Sequence, residues 1–291
     1  MPQTLMEPPE ALQPYAQVLH VGSTELHCFV AGPTNAPTIL LIHGLGDEGD
    51  TWRCVLPALT GRYRVIAPDL PGFGRSPLAQ RPITVATYAR TLVALMGTLG
   101  IARATLVGHS GGAMVAQRIA LGAPERVERL LLVGGCLPIT RHLPPPGPLW
   151  AFLTPGLGEL AYTSLRRSQD AAFATLRPYY ADIDALPEEE RAFLRQRVWA
   201  RVWSDSQQAA FLSWLRWIVI DGATRADTYR KLLAASRVPT ALVWGEADLL
   251  APPTVGQAMA SLIPGATTHV LPATGHNLHH ERPDALLELI G

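Results

Sequence analysis

Ser110 stands in the run RATLVGHSGGAMVAQRIA (103–120). An apolar stretch ends there at Val107, Gly108-His109-Ser110-Gly111-Gly112 follows, and a helical pattern begins at once. Glycines around a serine at a strand-to-helix junction suit a turn so sharp that larger neighbours would collide. Such a turn lifts the hydroxyl out of the sheet. The chemistry on offer is nucleophilic attack, and a serine hydroxyl needs a base to take its proton. Among the nine histidines, His276 in LPATGHNLHHERP lies just past the last strand pattern, where a loop returns to the same edge. His279 and His280 fall on a helical approach facing elsewhere, and His269 lies within a strand. His43 and His109 belong to loops at the active edge and are expected to support it by hydrogen bonding.

A base of this kind needs an acid to fix its tautomer and to stabilise the imidazolium. LVWGEADLLAPP places Asp248 four residues beyond Trp244, at the end of the preceding strand pattern. Glu246 lies nearer the strand end and is expected in solvent. The other position for an acid, the loop after Val133, reads GGCLPIT and has none. The candidate set is Ser110, Asp248 and His276, in that chain order. The oxyanion formed by attack would need pre-positioned N–H groups, and Gly111, next to the nucleophile, supplies the first.

These residues must be carried by a scaffold. Eight apolar runs, at 16–21, 26–31, 38–42, 64–67, 104–107, 130–133, 240–244 and 268–271, read as strands. Helical patterns lie near 50–59, 84–99, 111–121, 254–262 and 283–290. Continuous apolar strands separated by helices imply a mostly parallel sheet covered on both faces. The first two runs are close and alternating, which predicts an antiparallel edge hairpin. From 138 to 233 no strand pattern appears. A proline-rich stretch there leads into helical patterns rich in Trp, Tyr, Phe and Arg, read as an insertion between two strands of one sheet. Expected boundaries are an N-terminal extension over 1–14, a core over 15–137 and 234–291, and the insertion over 138–233. Trp199 and Trp203 (i, i+4) and Trp214 and Trp217 (i, i+3) share helix faces, which suits packing or an acyl pocket.

Composition narrows the function. Twenty-four basic and 24 acidic residues balance, so no overall field favours nucleic acid or an anionic membrane. Lys231 is the single lysine, which leaves Schiff-base or Ser-Lys chemistry one residue to rest on. Cys28, Cys54 and Cys136 match no metal spacing and read as small apolar residues of a reducing compartment. The N-terminus has neither a basic start nor an apolar stretch, so no signal peptide is expected. No apolar run reaches the roughly 20 residues of a membrane span. A cytoplasmic protein is the expectation, with no nucleotide, flavin or other cofactor motif.

The segments HGLGDEGDTW, RYRVIAPDLPGFGRS, LVGHSGGA, ALVWGEADLLAPP and ATGHNLHHERP follow one another in an order that resembles the serine-nucleophile branch of the α/β-hydrolase family. The resemblance spans most of the chain without pointing to one subfamily. It implies an α/β-hydrolase fold with an eight-stranded sheet and a helical cap over 138–233. It also implies that the backbone N–H of Leu45, after His43 and Gly44, is the second oxyanion donor. Relatives that resemble epoxide hydrolases or haloalkane dehalogenases carry Asp where this chain has Ser110, which disfavours those chemistries. The implied activity is hydrolysis of a small ester with an apolar portion through an acyl-enzyme. Lactone, thioester or carbon–carbon bond hydrolysis and perhydrolysis use the same triad, and a ligand receptor or interaction protein without turnover would share the fold. In PDLPGFGRS, Asp69 and Ser76 read as turn residues.

Asp47, Glu48 and Asp50 crowd the loop HGLGDEGDTW. A metal site would need further converging ligands, and none is evident in the sequence; no metal is expected. Asp50 is expected to cap a helix starting near Thr51. Asp47 and Glu48 are expected in solvent or paired with an arginine, since a carboxylate facing a forming oxyanion would oppose it. Oligomeric state is left open by the sequence.

Overall fold

The structure, a computed structural model, describes residues 6–78, 82–140 and 149–291. Eight strands form one sheet: β1 (Ala16–Val21), β2 (Thr24–Ala31), β3 (Thr38–Ile42), β4 (Arg64–Pro68), β5 (Ala104–His109), β6 (Val127–Val133), β7 (Thr240–Gly245) and β8 (Thr267–Leu271). Their order is β1-β2-β4-β3-β5-β6-β7-β8. β2 pairs antiparallel with β1, as the hairpin reading requires, and also with β4; all other pairs are parallel.

The inner strands are apolar along their length because both faces are covered. Leu41, Val107, Leu131 and Val243 face a layer with Trp52, Leu56, Leu286 and Ile290. Leu40, Leu106, Leu132 and Leu242 face the other layer, with Leu92, Ile119 and Met259. Each such aliphatic side chain, fully withdrawn from water, contributes about 1.5–3 kcal/mol. The layers comprise α1 (Leu56–Leu59), α2 (Val85–Thr98), α3 (Gly111–Gly122), α9 (Pro253–Leu262), α10 (Leu278–Glu281) and α11 (Pro283–Ile290).

The helix expected over 50–59 is two pieces, a 3-10 turn over Gly49–Cys54 and then α1. Pro57 explains the break: it lacks an N–H, and its ring would strike the carbonyl four residues back in a continuous α-helix. Between β6 and β7 the chain is helical: α4 (Leu149–Leu153), α5 (Leu157–Ser164), α6 (Gln169–Ala174), α7 (Glu188–Trp203) and α8 (Asp205–Ala234). Most of the proline-rich stretch before α4 lies outside the described residues. This segment has its own apolar cluster around Tyr162, Phe173, Leu194 and Val198. Among the described residues no helix is long and apolar enough to cross a membrane.

The strand order matters for the site. After β3 the chain moves to one side to form β4, then returns to place β5 on the other side. Loops leaving the carboxyl ends of β3 and β5 therefore diverge from a shared crevice, the place where open α/β sheets bind ligands.

Candidate active site

Ser110 links β5 to α3 with φ 52° and ψ −117°. Among the described residues, Ser110 and Ala273 are the non-glycines with positive φ. A bulky-side conformation of this kind costs about 1–3 kcal/mol and persists only where the surroundings impose it. Here they do. The Ser110 N–H donates to the Val133 carbonyl at 2.8 Å, and the Ala113 N–H to the Ser110 carbonyl at 3.0 Å. Space is equally tight: a Cβ on Gly108 would come within 2.5 Å of the Gly112 oxygen, and one on Gly112 would run into the Ile42 carbonyl. The glycines of G-x-S-x-G are thus demanded by contact between β5, α3 and β3.

His276 follows β8, and its Nδ1 lies 2.7 Å from Asp248 Oδ2. The other Asp248 oxygen accepts the Leu250 and Ala251 N–H groups, each at 2.9 Å. Both residues are buried. With Nδ1–H donated to a carboxylate, Nε2 is left as the basic nitrogen. The loop after β6 brings this pair to the elbow. A Cβ on Gly134 would lie 3.3 Å from His276 Nδ1, and one on Gly135 would lie 2.6 Å from Ser110 Cα. That loop, where sequence reasoning looked only for an acid, thus places no side chain against either His276 or Ser110. Glu246 is exposed, as expected.

The two candidate oxyanion donors also converge. A Cβ on Gly111 would sit 3.2 Å from the Leu45 nitrogen. Neither N–H has a hydrogen-bond partner among the described residues. His43 and Gly44 shape this loop: His43 Nε2 accepts the Leu70 N–H at 2.9 Å, so its Nδ1–H donates to the Gly44 carbonyl at 2.8 Å. Burial pulls the His43 imidazole below its ordinary range. His109 donates from Nε2 to the His276 carbonyl at 2.9 Å. Burial, then the nearby His276, holds it at about 3, so it is a neutral brace.

Two expectations change. His279 and His280 do not face elsewhere. Both Nε2 atoms meet Thr51 Oγ1, at 2.7 and 3.0 Å, and the His279 ring lies 4.4 Å from that of His109. The short α10 turns them back under the site. Asp50 is not a helix cap; it lies inside the 3-10 turn, and its Oδ2 binds Arg75 and, at 2.7 Å, Arg197. Burial without an opposite charge would be prohibitive, so the arginines claim it.

Asp47 and Glu48 meet arginine, the second of the alternatives for them, and Glu48 is fully buried. Arg201 on α7 donates Nε to Glu48 Oε2 at 2.8 Å and Nη2 to Oε1 at 2.7 Å, and also binds Asp47. Asp69 accepts the Gly49 N–H at 2.6 Å and the Arg75 N–H at 2.8 Å, the turn role read for it. Arg75, Arg197 and Arg201 were missed in the sequence. The one signal was two arginines four apart on a helix, which is common on solvated faces.

A ring nitrogen each from His109 and His279 and an Asp47 oxygen lie within 4.8 Å of one another. The Arg201 guanidinium on Asp47 would repel a cation there, so this set suits hydrogen bonding better than metal binding. Cys28 and Cys136 are buried free thiols, and burial pushes Cys136 up to about 12, which leaves it inert. Trp214 is fully buried, packed on Tyr88 at 4.6 Å between ring centroids and against Gly111. Trp203 is exposed. A surface cavity of about 470 Å³ is lined by Glu159 of α5 and by Leu212, Arg216 and Trp217 of α8; neither the candidate triad nor the candidate oxyanion donors line it.

Residues 37–283 match the alpha/beta hydrolase fold family, and the chain belongs to that family. It is similar to 2-hydroxymuconate semialdehyde hydrolase of Pseudomonas sp. strain CF600, 31% identical over 264 residues, covering 87% of this chain and 85% of that protein. Among solved structures, a bacterial membrane phospholipase A superposes with a TM-score of 0.75 at 25% identity, over 99% of this chain and 86% of that one. A thermophilic esterase from Thermogutta terrifontis has the same fold, with a TM-score of 0.74 at 24% identity, over 94% and 96% of the two chains.

Proposed function

We propose that this chain is a serine hydrolase that cleaves small carboxylic esters through an acyl-enzyme. The observation that carries the reading is the His276–Asp248 pair, at 2.7 Å, brought by a glycine loop to a serine held at φ 52°. Ser110 Oγ attacks the ester carbonyl while His276 Nε2 takes its proton. The oxyanion forms toward the Leu45 and Gly111 N–H groups, where fixed donors need no reorganisation. His276 then protonates the leaving alcohol, and afterwards deprotonates a water that attacks the acyl carbonyl, releasing the acid and Ser110. Residues 138–233 act as the cap, and Leu45 and Phe211, both half-buried, offer an apolar wall to the acyl portion.

Ser110→Ala should lower turnover of p-nitrophenyl acetate or butyrate by about 10⁴-fold or more, with an unchanged circular dichroism spectrum. Retained turnover in the folded variant would sink the proposal.

A second reading keeps the triad and changes the bond cleaved, to a lactone, thioester or carbon–carbon bond. It is favoured by the 31% identity to a hydrolase named for a semialdehyde, which is not an ester. A substrate panel with product identification separates the two: ester turnover far below that on a diketone or ring-opened semialdehyde would select the second.

A further inference from the structure

The acids of HGLGDEGDTW are absorbed by neither a metal nor the reaction, yet they sit two, three and five residues past Leu45. All three are paired with arginine. Arg201 offers Glu48 a two-point fork, at 2.8 and 2.7 Å, and shares Nη2 with Asp47. Arg197, one helical turn earlier, reaches Glu48 with Nε at 3.3 Å and Asp50 with Nη2 at 2.7 Å. On the far side Arg75 bridges Asp50 and Asp69. Glu48, Asp50 and Asp69 are fully buried, and Arg197 and Arg201 nearly so. The fork is planar and directional, so it fixes the orientation of the carboxylate as well as its charge.

The loop between β3 and the 3-10 turn is fixed at its ends, by His43 on Leu70 and Gly44 and by the Gly49 N–H on Asp69, while the peptides between them have fewer ties. The Asp47 N–H reaches back to the Gly44 carbonyl at 3.3 Å, and α8 touches Gly46 through Gln207 Nε2 at 3.2 Å. A peptide N–H moves with the peptide planes that follow it, and a displacement of about 1 Å at a reacting centre can cost on the order of a hundredfold in rate.

We propose that Arg201 is a positioning residue: by gripping Asp47 and Glu48 from α7, it fixes the peptide that presents the Leu45 N–H, so that seating of the helical segment and assembly of the oxyanion site are one event. Arg197 braces the same grip through Glu48. This inference rests on the hydrolase reading above, and it locates in α7 a control over the rate rather than over substrate fit. A lysine at 201 would keep the charge and lose the fork.

The test uses the full-length protein and p-nitrophenyl butyrate. Arg201→Lys should lower kcat by about 10- to 100-fold with KM held within about threefold, since ground-state contacts are untouched. Inhibition by a trifluoromethyl ketone, which forms an oxyanion on the serine, should weaken in proportion to kcat/KM. The paired change Glu48→Met with Arg201→Met removes both buried charges and keeps the packing volume, which commonly spares stability. If that pair restores the melting temperature but kcat stays low, the positioning role stands. If kcat recovers along with stability, or if Arg201→Lys leaves kcat unchanged, the role is merely structural and the inference is overturned. Failure of the underlying reading shows separately, as a wild-type protein with neither ester turnover nor labelling of Ser110 by a fluorophosphonate.

Discussion

At the scale of single residues, the proposed base depends on a tautomer, and the tautomer depends on the way Asp248 divides its two oxygens. One is committed to the Leu250 and Ala251 N–H groups, the other to His276. In Asp248→Asn the amide oxygen must stay with the two backbone donors, so the NH₂ would face His276 Nδ1. That orientation forces the proton onto Nε2 and removes the base. We expect kcat for ester hydrolysis to fall by about 10⁴-fold, with little change in melting temperature because both hydrogen bonds to the backbone survive. A fall of only a few-fold would show that Asp248 orients nothing that matters to the rate. Glu246, exposed on the same loop, cannot take over from its present position.

At the scale of elements, the end of β5, the loop after β3 and α10 share a buried layer of imidazoles. Burial, then His276, holds His109 at about 3. Burial also lowers His43, and burial with the neighbouring His280 and His109 lowers His279. An unfolded histidine titrates near about 6.5. Between that value and the folded one the unfolded chain binds more protons, so stability rises with pH through the window and is lost as pH falls. Asp69 acts in the same direction further down. Burial alone would raise it, but Arg75 and then His27 outweigh that and leave it below the usual carboxylate range. Its contribution is present above about 4 and lost on acidification. The melting temperature, followed by calorimetry, should decline steadily from about pH 6.5 to pH 4. A flat profile across that range would contradict a layer of neutral, buried imidazoles.

At the scale of the whole molecule, the helical segment is tied to the sheet from several sides. Trp214 of α8 belongs to the same apolar cluster as Tyr88 and Phe73. The Asn277 N–H donates to the Tyr179 carbonyl at 2.9 Å, and Glu281 accepts the Ala181 and Gly275 N–H groups at 2.9 and 2.8 Å. Breaking the Arg201–Glu48 contact alone would strand buried charges, at about 3–5 kcal/mol. The segment and the sheet should therefore unfold together. Urea denaturation followed by tryptophan fluorescence and by far-ultraviolet circular dichroism should give coincident single transitions. An early fluorescence transition, with sheet signal retained, would mean that the segment is a separately melting unit.

The sequence by itself determined the elements and their chemistry. Apolar runs buried on two faces cannot be mistaken for solvated loops, so the inner strands were legible; the half-exposed edge strands β1 and β8 were read from their place in the alternation, as was the helical stretch between β6 and β7. Glycines around Ser110 betrayed the tight turn because only glycine fits where α3 presses on β3. The candidate Asp248 and His276 followed from their places at strand ends. Tertiary structure decided the rest, because it turned on groups distant in the chain. Nothing local to Asp50 said that Arg75 and Arg197 would claim it. Nothing local to His279 said that α10 would fold it back onto His109. Charge pairing between β3's loop and α7 links residues as far apart as Glu48 and Arg201, 153 positions along the chain, and pairing across such a distance leaves no periodicity to read. The loop that began as three unexplained acids is held in place by a helix that only folding brings to it.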